Sequence, residues 1–200
     1  QQQCPQVLVH GGMTSIFSEV NRFQTGFWPT IVAEGELYGR HIVENNPDAK
    51  LALLLLDAPP GDDFEIGIRA GIEGSDVEIV EIQRAAPTDA SLEGHVAAMQ
   101  ASGADTLLMI TVGGQAPQAI QLTGTTGWRP QIYLLAAIAQ VPILEPAGFD
   151  NAEGLISSSW LKDPTDTADP GIAEYIADIE EFGGDANPLG YYVMVGWTSA

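Results

Sequence analysis

The run Leu51-Ala52-Leu53-Leu54-Leu55-Leu56 decides the fold. A strand with no polar residue at either parity cannot turn one face to water, so it has to be covered on both sides. Following the chain forward, Asp57 to Gly61 holds two prolines and a glycine and reads as a loop. A helix is predicted from about Asp62 to Ile72, then an alternating strand Val77 to Ile82. Thr88 or Asp89 is placed to cap a helix through about Ala101, with Leu92, Val96 and Met99 as its inward stripe. A strand from Thr106 to Thr111, a helix from Ala116 to about Thr123 and a strand from Gln131 to Leu135 come next. A short helix near Val141 to Glu145 and a last strand from Gly154 to Ser158 are also predicted.

Following the chain backward, Ile31, Val32, Leu37, Tyr38 and Ile42 recur at helical spacing. Pro29 stands at the start of this pattern, where its missing N–H costs nothing, and Asn45-Asn46-Pro47 ends it. Before it, Pro5 to Val9 is a short apolar run stopped by Gly11 and Gly12, a strand ending in a loop that Cys4 precedes. Repeated alternation of strand and helix implies an α/β protein with a parallel sheet and helices on both faces. Ligands of such sheets sit outside the C-terminal ends of the strands. Three strand ends carry suitable loops: Asp57 to Gly61, Thr111 to Gln115 and Ala136 to Ala139. After Ser159 the chain becomes a turn-rich crossover, Asp163 to Pro170, followed by an amphipathic helix from Gly171 to Phe182. It ends inside a second helical pattern that begins at Pro188, which reads as a truncated sequence.

Composition narrows the choice of partner. Seven Lys and Arg stand against 27 Asp and Glu, for a formal charge of −20. Phosphate backbones and anionic lipid repel such a chain, so neither nucleic acid nor a membrane surface is an expected partner. The single cysteine, Cys4, permits no internal disulfide and no cysteine-based metal site. Gln1 to Gln3 before it lack the apolar and small residues of a lipid-attachment signal. No apolar run approaches the roughly 18 residues a membrane span requires, so direct insertion is not expected.

Catalytic chemistry finds no foothold. A serine hydrolase needs a nucleophile on a sharp glycine-flanked turn with a base in reach, and no Gly-x-Ser-x-Gly occurs. Ser157 to Ser159 end a strand with no base marked for them, although they could hydrogen-bond a ligand. His10, His41 and His95 are scattered over different elements, with His95 beside the apolar stripe of its helix in a structural place. Asp163, Asp166 and Asp169 are spaced by three, whereas an EF-type calcium loop needs alternate oxygens and a central glycine. Gly113 and Gly114 follow a strand without the remaining residues of a phosphate loop. No cofactor, metal or enzymatic activity is expected.

Five further segments point elsewhere. Gly26-Phe27-Trp28-Pro29 with Glu34-Gly35-Glu36-Leu37-Tyr38-Gly39, Ala101 to Asp105, Pro146-Ala147-Gly148 and Leu161 to Asp166 resemble, in order and spacing, the type I periplasmic binding proteins. The nearest class is the ABC-transporter receptors for branched-chain amino acids and related solutes. The resemblance implies two flavodoxin-like three-layer lobes joined by hinge crossings, with solute held between them. It assigns residues 1–27 to the end of the first lobe, 28–158 to the second lobe, and 159–200 to the crossover and return to the first. The rest of the first lobe lies outside this sequence.

The resemblance also implies a site. The family's first-lobe loop, which grips a carboxylate with backbone N–H groups and a hydroxyl, falls on Gly11, Gly12, Met13 and Thr14. The glycines let backbone approach an anion closely, and Thr14 adds a donor. Trp28 and Gly114 belong to the same expected set. The family's aromatic contact after the first strand of the second lobe falls on Pro60, and its ammonium-pairing acid on Ala136, beside Ala137. Both depart from the family pattern. A zwitterion's ammonium buried against Ala136 would lack a partner at a cost of several kcal/mol. The resemblance extends to members that take aromatic or keto acids, amides or urea, and the Ala136/Ala137 wall fits an apolar or aromatic carboxylate better, unless Asp57 or Gln115 substitutes for the acid. The function implied is an extracytoplasmic receptor of an ABC importer that closes on a small carboxylate-bearing solute, an amino acid or amino-acid-like compound or an aromatic or keto acid, in the periplasm or outside the cell, with any lipid anchor on a segment beyond this sequence. Its partners are a small solute and the membrane permease. The alternative is the sensing domain of a signalling receptor of the same fold, with a flavodoxin-like enzyme further behind.

Overall fold

The computed structural model describes residues 5–17 and 23–200; Cys4 lies outside them. The chain forms two compact units, one ending at Ser158 and the other running Ser159–Ala200. In the first, strands β1 (Gln6–Val9) and β2 (Gln24–Gly26) pair in parallel as a two-stranded sheet. Strands β3 (Lys50–Leu56), β4 (Glu78–Ala85), β5 (Thr106–Ile110) and β6 (Gln131–Leu134) form a parallel sheet in the order β4-β3-β5-β6.

The Leu51–Leu56 run becomes the inner strand β3 and divides its side chains by parity. Leu51, Leu53 and Leu55 join Leu108, Ile110 and Tyr133 beneath helices α1 (Ile31–Asn45) and α2 (Pro59–Gly71). Ala52 and Leu54 join Leu107, Met109 and Leu134 beneath helices α3 (Glu93–Ala101) and α4 (Gln115–Thr126). Every residue from Leu51 to Leu55 is fully buried. Helices therefore cover both faces, and the architecture is the α/β three-layer sandwich expected. Short helices α5 (Val141–Leu144) and α6 (Phe149–Ala152) follow β6.

The α1/α2 pair packs without side chains between the backbones. A Cβ on Gly35 would lie 2.6 Å from the Phe64 carbonyl oxygen, and one on Gly67 would lie 2.1 Å from that of Val32. Gly39 and Gly71 meet in the same way, with a Cβ on Gly39 falling 2.8 Å from the Gly71 Cα. Two glycines four residues apart on each helix thus set the closeness of the crossing.

Several boundaries differ from those expected, α1 for one starting at Ile31 behind a Thr30 cap and not at Pro29, and three of the differences have a clear physical cause. Helix α2 starts at Pro59, not Asp62: Pro59 and Pro60 occupy its first turn, where an N–H has no helical partner and proline fits. Helix α3 starts at Glu93, because Asp89 turns its carboxylate to the Ala86 N–H at 2.8 Å and holds the loop rather than capping the helix. The segment Gly154–Ser158 is not a strand but a single parallel bridge between Tyr133 and Ile156. It is made by Leu134 N–H to the Ile156 carbonyl at 3.0 Å and Ile156 N–H to the Ile132 carbonyl at 2.9 Å.

The second unit has helices α7 (Pro170–Phe182) and α8 (Tyr191–Ser199), packed through Ile172, Tyr175 and Met194. Asp169 caps α7 by accepting from the N–H groups of Gly171 and Ile172, with Pro170 in the first turn. Lys162 pairs with the same carboxylate at 2.7 Å, and this bond, helped by the cap, holds Asp169 below the usual carboxylate range. Asp163 is likewise lowered, by the hydroxyl and N–H of Thr165. Among the described residues no three His, Cys, Asp or Glu side chains group as metal ligands. No described helix is long and apolar enough to cross a membrane.

Candidate functional site

The loop Gly11–Thr14 packs against the start of α1. The Gly12 carbonyl accepts the Ile31 N–H at 2.7 Å, and a Cβ on Gly12 would lie 2.7 Å from the Pro29 carbonyl oxygen. Gly12 therefore allows this loop to seat on the helix start. Met13 packs into the cluster under α1 and α2. Thr14 is exposed and opens a 3-10 turn, Thr14–Phe17. Its N–H donates to Asp63 Oδ2 at 2.7 Å, so a carboxylate already sits on the backbone donor of this loop. Trp28 lies near the same loop, its ring 6.3 Å from that of His10 and stacked on it.

The remaining predicted contacts lie along the C-terminal edge of the sheet, following β3, β5 and β6, which are neighbours in the strand order. Pro60 is half-buried in the first turn of α2 and not in a loop, a placement that follows from its missing N–H. Gly114 is exposed and lines a surface depression of about 460 Å³ with Gly113, Pro117, Gln121 and Ile143. Ala136 is buried within a 3-10 turn, Ala136–Ile138, leaving Ala137 as the more open of the pair.

The candidate substitutes for the missing acid fare differently. Asp57 is exposed at the end of β3. Gln115 is buried and committed to loop structure: its Nε2 donates to the Ala86 carbonyl at 2.8 Å, and its Oε1 accepts the Val112 N–H. The hydroxyl of Thr111, buried at the end of β5, finds no hydrogen-bond partner among the described residues.

Two acids that the sequence reading passed over stand in this region. Asp63 is locally one more acid near the start of a helix, and only the tertiary fold brings it to Thr14. Glu34, in the Glu34–Gly39 segment, carries no local sign of a role. One of its oxygens, Oε1, accepts from the Ala136 N–H at 2.7 Å, the Tyr38 hydroxyl at 2.7 Å and the Ser158 hydroxyl at 2.9 Å. Burial pushes the Tyr38 phenol well above its ordinary pKa, reinforced by the negative charge of Glu34. Tyr38 therefore stays protonated and remains a donor. Ser157 and Ser158 are structural: Ser157 Oγ donates to the Leu134 carbonyl at 2.9 Å, and Ser158 N–H donates to Tyr38 Oη at 2.9 Å. His95 is also tied down, with Nδ1 2.9 Å from Gln83 Oε1.

Residues 21–200 match the family model described as periplasmic binding protein. The chain belongs to the periplasmic binding protein family, whose members bind solutes and are not enzymes, and whose place is outside the cytoplasm. No curated protein matches the sequence. Among solved structures, the chain is similar to a branched chain amino acid ABC transporter protein from Thermus thermophilus with bound valine. The TM-score is 0.81 at 15% identity, covering 96% of this chain and 50% of that one. It is similar to a solute binding protein from Rhodopseudomonas palustris BisB5 in complex with 3,4-dihydroxy benzoic acid. There the TM-score is 0.75 at 19% identity, covering 98% and 53%. A third, an R. palustris solute binding protein in complex with 4-hydroxybenzoate, has TM-score 0.77 at 17% identity, covering 93% and 50%. The chain thus spans about half the length of these proteins, and it shares their fold.

Proposed function

We propose that this chain is part of a receptor for an ABC importer, which holds a small carboxylate-bearing solute between two lobes and closes on it about hinge crossings near Gly26–Pro29 and Ser158–Lys162. Residues 1–27 and 159–200 contribute to the first lobe in this reading, and 28–158 form the second. The carrying observation is that the Thr14 N–H holds a carboxylate oxygen, that of Asp63, at 2.7 Å. A solute carboxylate takes the same donor, displacing Asp63, while the Thr14 hydroxyl adds a second bond and Gly11, Gly12 and Met13 shape the approach. From the sheet edge Pro60, Gly114, Ala137 and the Thr111 hydroxyl face the solute, and Trp28 covers it. With alanine at 136, an apolar or aromatic acid suits this wall better than a zwitterion. The solutes of the similar structures, valine in one and hydroxybenzoates in two, span that choice. The permease then recognises the closed form.

The test is a thermal-shift screen of the full-length protein with 4-hydroxybenzoate, 3,4-dihydroxybenzoate, keto acids, valine, amides and short peptides at millimolar concentration. A binder raises Tm by mass action, and an aromatic or keto acid is expected to give the largest shift. No shift from any member would overturn the receptor reading. Thr14→Val should weaken the binder's affinity by about 5- to 10-fold with the unliganded Tm kept. Unchanged affinity would remove the Gly11–Thr14 loop from the site. Asp63→Asn should tighten binding of acids that lack an ammonium group, because it uncharges the internal competitor. Weaker binding would instead make Asp63 the partner of a solute ammonium.

A further inference from the structure

The contacts of Glu34 join two places that matter differently to a closing receptor. Ala136 begins the wall after β6, and Ser158 is the last residue before the chain enters the second unit. They lie 102 and 124 residues from Glu34 in sequence, yet the Ala136 N–H and the Ser158 hydroxyl end on one oxygen of its carboxylate. Tyr38, one helical turn on, donates to that same oxygen and accepts the Ser158 N–H. The Leu134 carbonyl, also within 3.0 Å of Tyr38 Oη, is served by Ser157, so the phenol's single proton is left for Glu34. A neutral residue would suffice to satisfy one backbone N–H. A half-buried carboxylate pays for its desolvation only when several donors converge on it, which requires all three to stay in place.

We infer that Glu34 is a positioning residue that clamps the solute wall at Ala136–Ala137 to the crossing at Ser158, so that wall and crossing move as one piece. The inference rests on the receptor reading for its purpose, and it gives solute contact at the wall a direct mechanical path to the hinge. A residue that merely stabilised the fold would, on removal, loosen the whole sheet. A clamp, on removal, frees its two ends together and leaves the sheet centre intact.

Amide hydrogen exchange on the full-length protein without solute separates these outcomes. It also separates failure of the clamp from failure of the receptor reading, since no ligand enters the measurement. In Glu34→Ala the Ala136 and Ser158 amides should both exchange about 10-fold faster or more, with Leu53 in β3 unchanged. Glu34→Gln keeps an acceptor oxygen without the charge and should show both amides faster by only a few-fold. This variant also carries the test if the alanine variant does not fold. Acceleration at Ala136 with Ser158 unchanged would overturn the clamp, as would equal acceleration at Leu53. A glutamine variant that exchanges as fast as the alanine variant would overturn it too.

Discussion

The two helix pairs that cover the faces of the four-stranded sheet are packed on different principles. Over one, α1 and α2 approach until backbone meets backbone, with Gly35 and Gly39 against Phe64, Gly67 and Gly71. Over the other, α3 and α4 stand off on side chains, with Leu92, Val96, Met99 and Ile120 filling the space above Leu54 and Met109. The first arrangement tolerates no added atom, while the second can redistribute volume among flexible side chains. The difference teaches where precision is needed. Both interactions that organise the candidate site arise from the glycine-packed helices: Asp63 on α2 reaches Thr14, and Glu34 and Tyr38 on α1 hold Ala136 and Ser158.

The largest effect that would break this contrast is Gly67→Ala. Its Cβ would fall 2.1 Å from the Val32 carbonyl oxygen, so a helix-propensity gain of about 1 kcal/mol should be outweighed and stability should fall by about 3 kcal/mol. Urea unfolding measures it, and a neutral result would mean that the helices separate easily. Next in size is Tyr38→Phe, which leaves the Ser158 N–H without its acceptor and should cost about 2 kcal/mol by the same titration. An unchanged midpoint would show that the knot beside α1 contributes little. Smallest, and opposite in sign, is Gly94→Ala on α3, where nothing lies within 4 Å of the added methyl. It should stabilise by about 0.5 kcal/mol through propensity alone, and destabilisation would contradict the open, exposed surroundings of this position.

Much of the fold was legible because burial writes itself into local pattern. Leu51–Leu56 could be nothing but a doubly covered strand, and the stripe Leu92, Val96, Met99 points into the core as its spacing requires. Punctuation was less reliable. Pro59-Pro60 reads as loop in isolation yet suits a helix start, and Gly154–Ser158 looks like a strand while its ladder is a single bridge. In the candidate site, the glycine loop and the strand ends were visible because glycine and chain reversal are local features. Asp63 and Glu34 were not, because a carboxylate in a helix looks the same whether it faces water or donors from distant parts of the chain. Apart from Tyr38, one helical turn from Glu34, their partners lie 49 to 124 residues away, and no spacing rule spans that distance.

Closure around a solute is tested most directly by small-angle X-ray scattering of the full-length protein. Measured with and without the compound that gives the largest thermal shift, the radius of gyration should fall when the solute saturates the protein. A radius unchanged at saturation would contradict the account, leaving a protein that binds without closing.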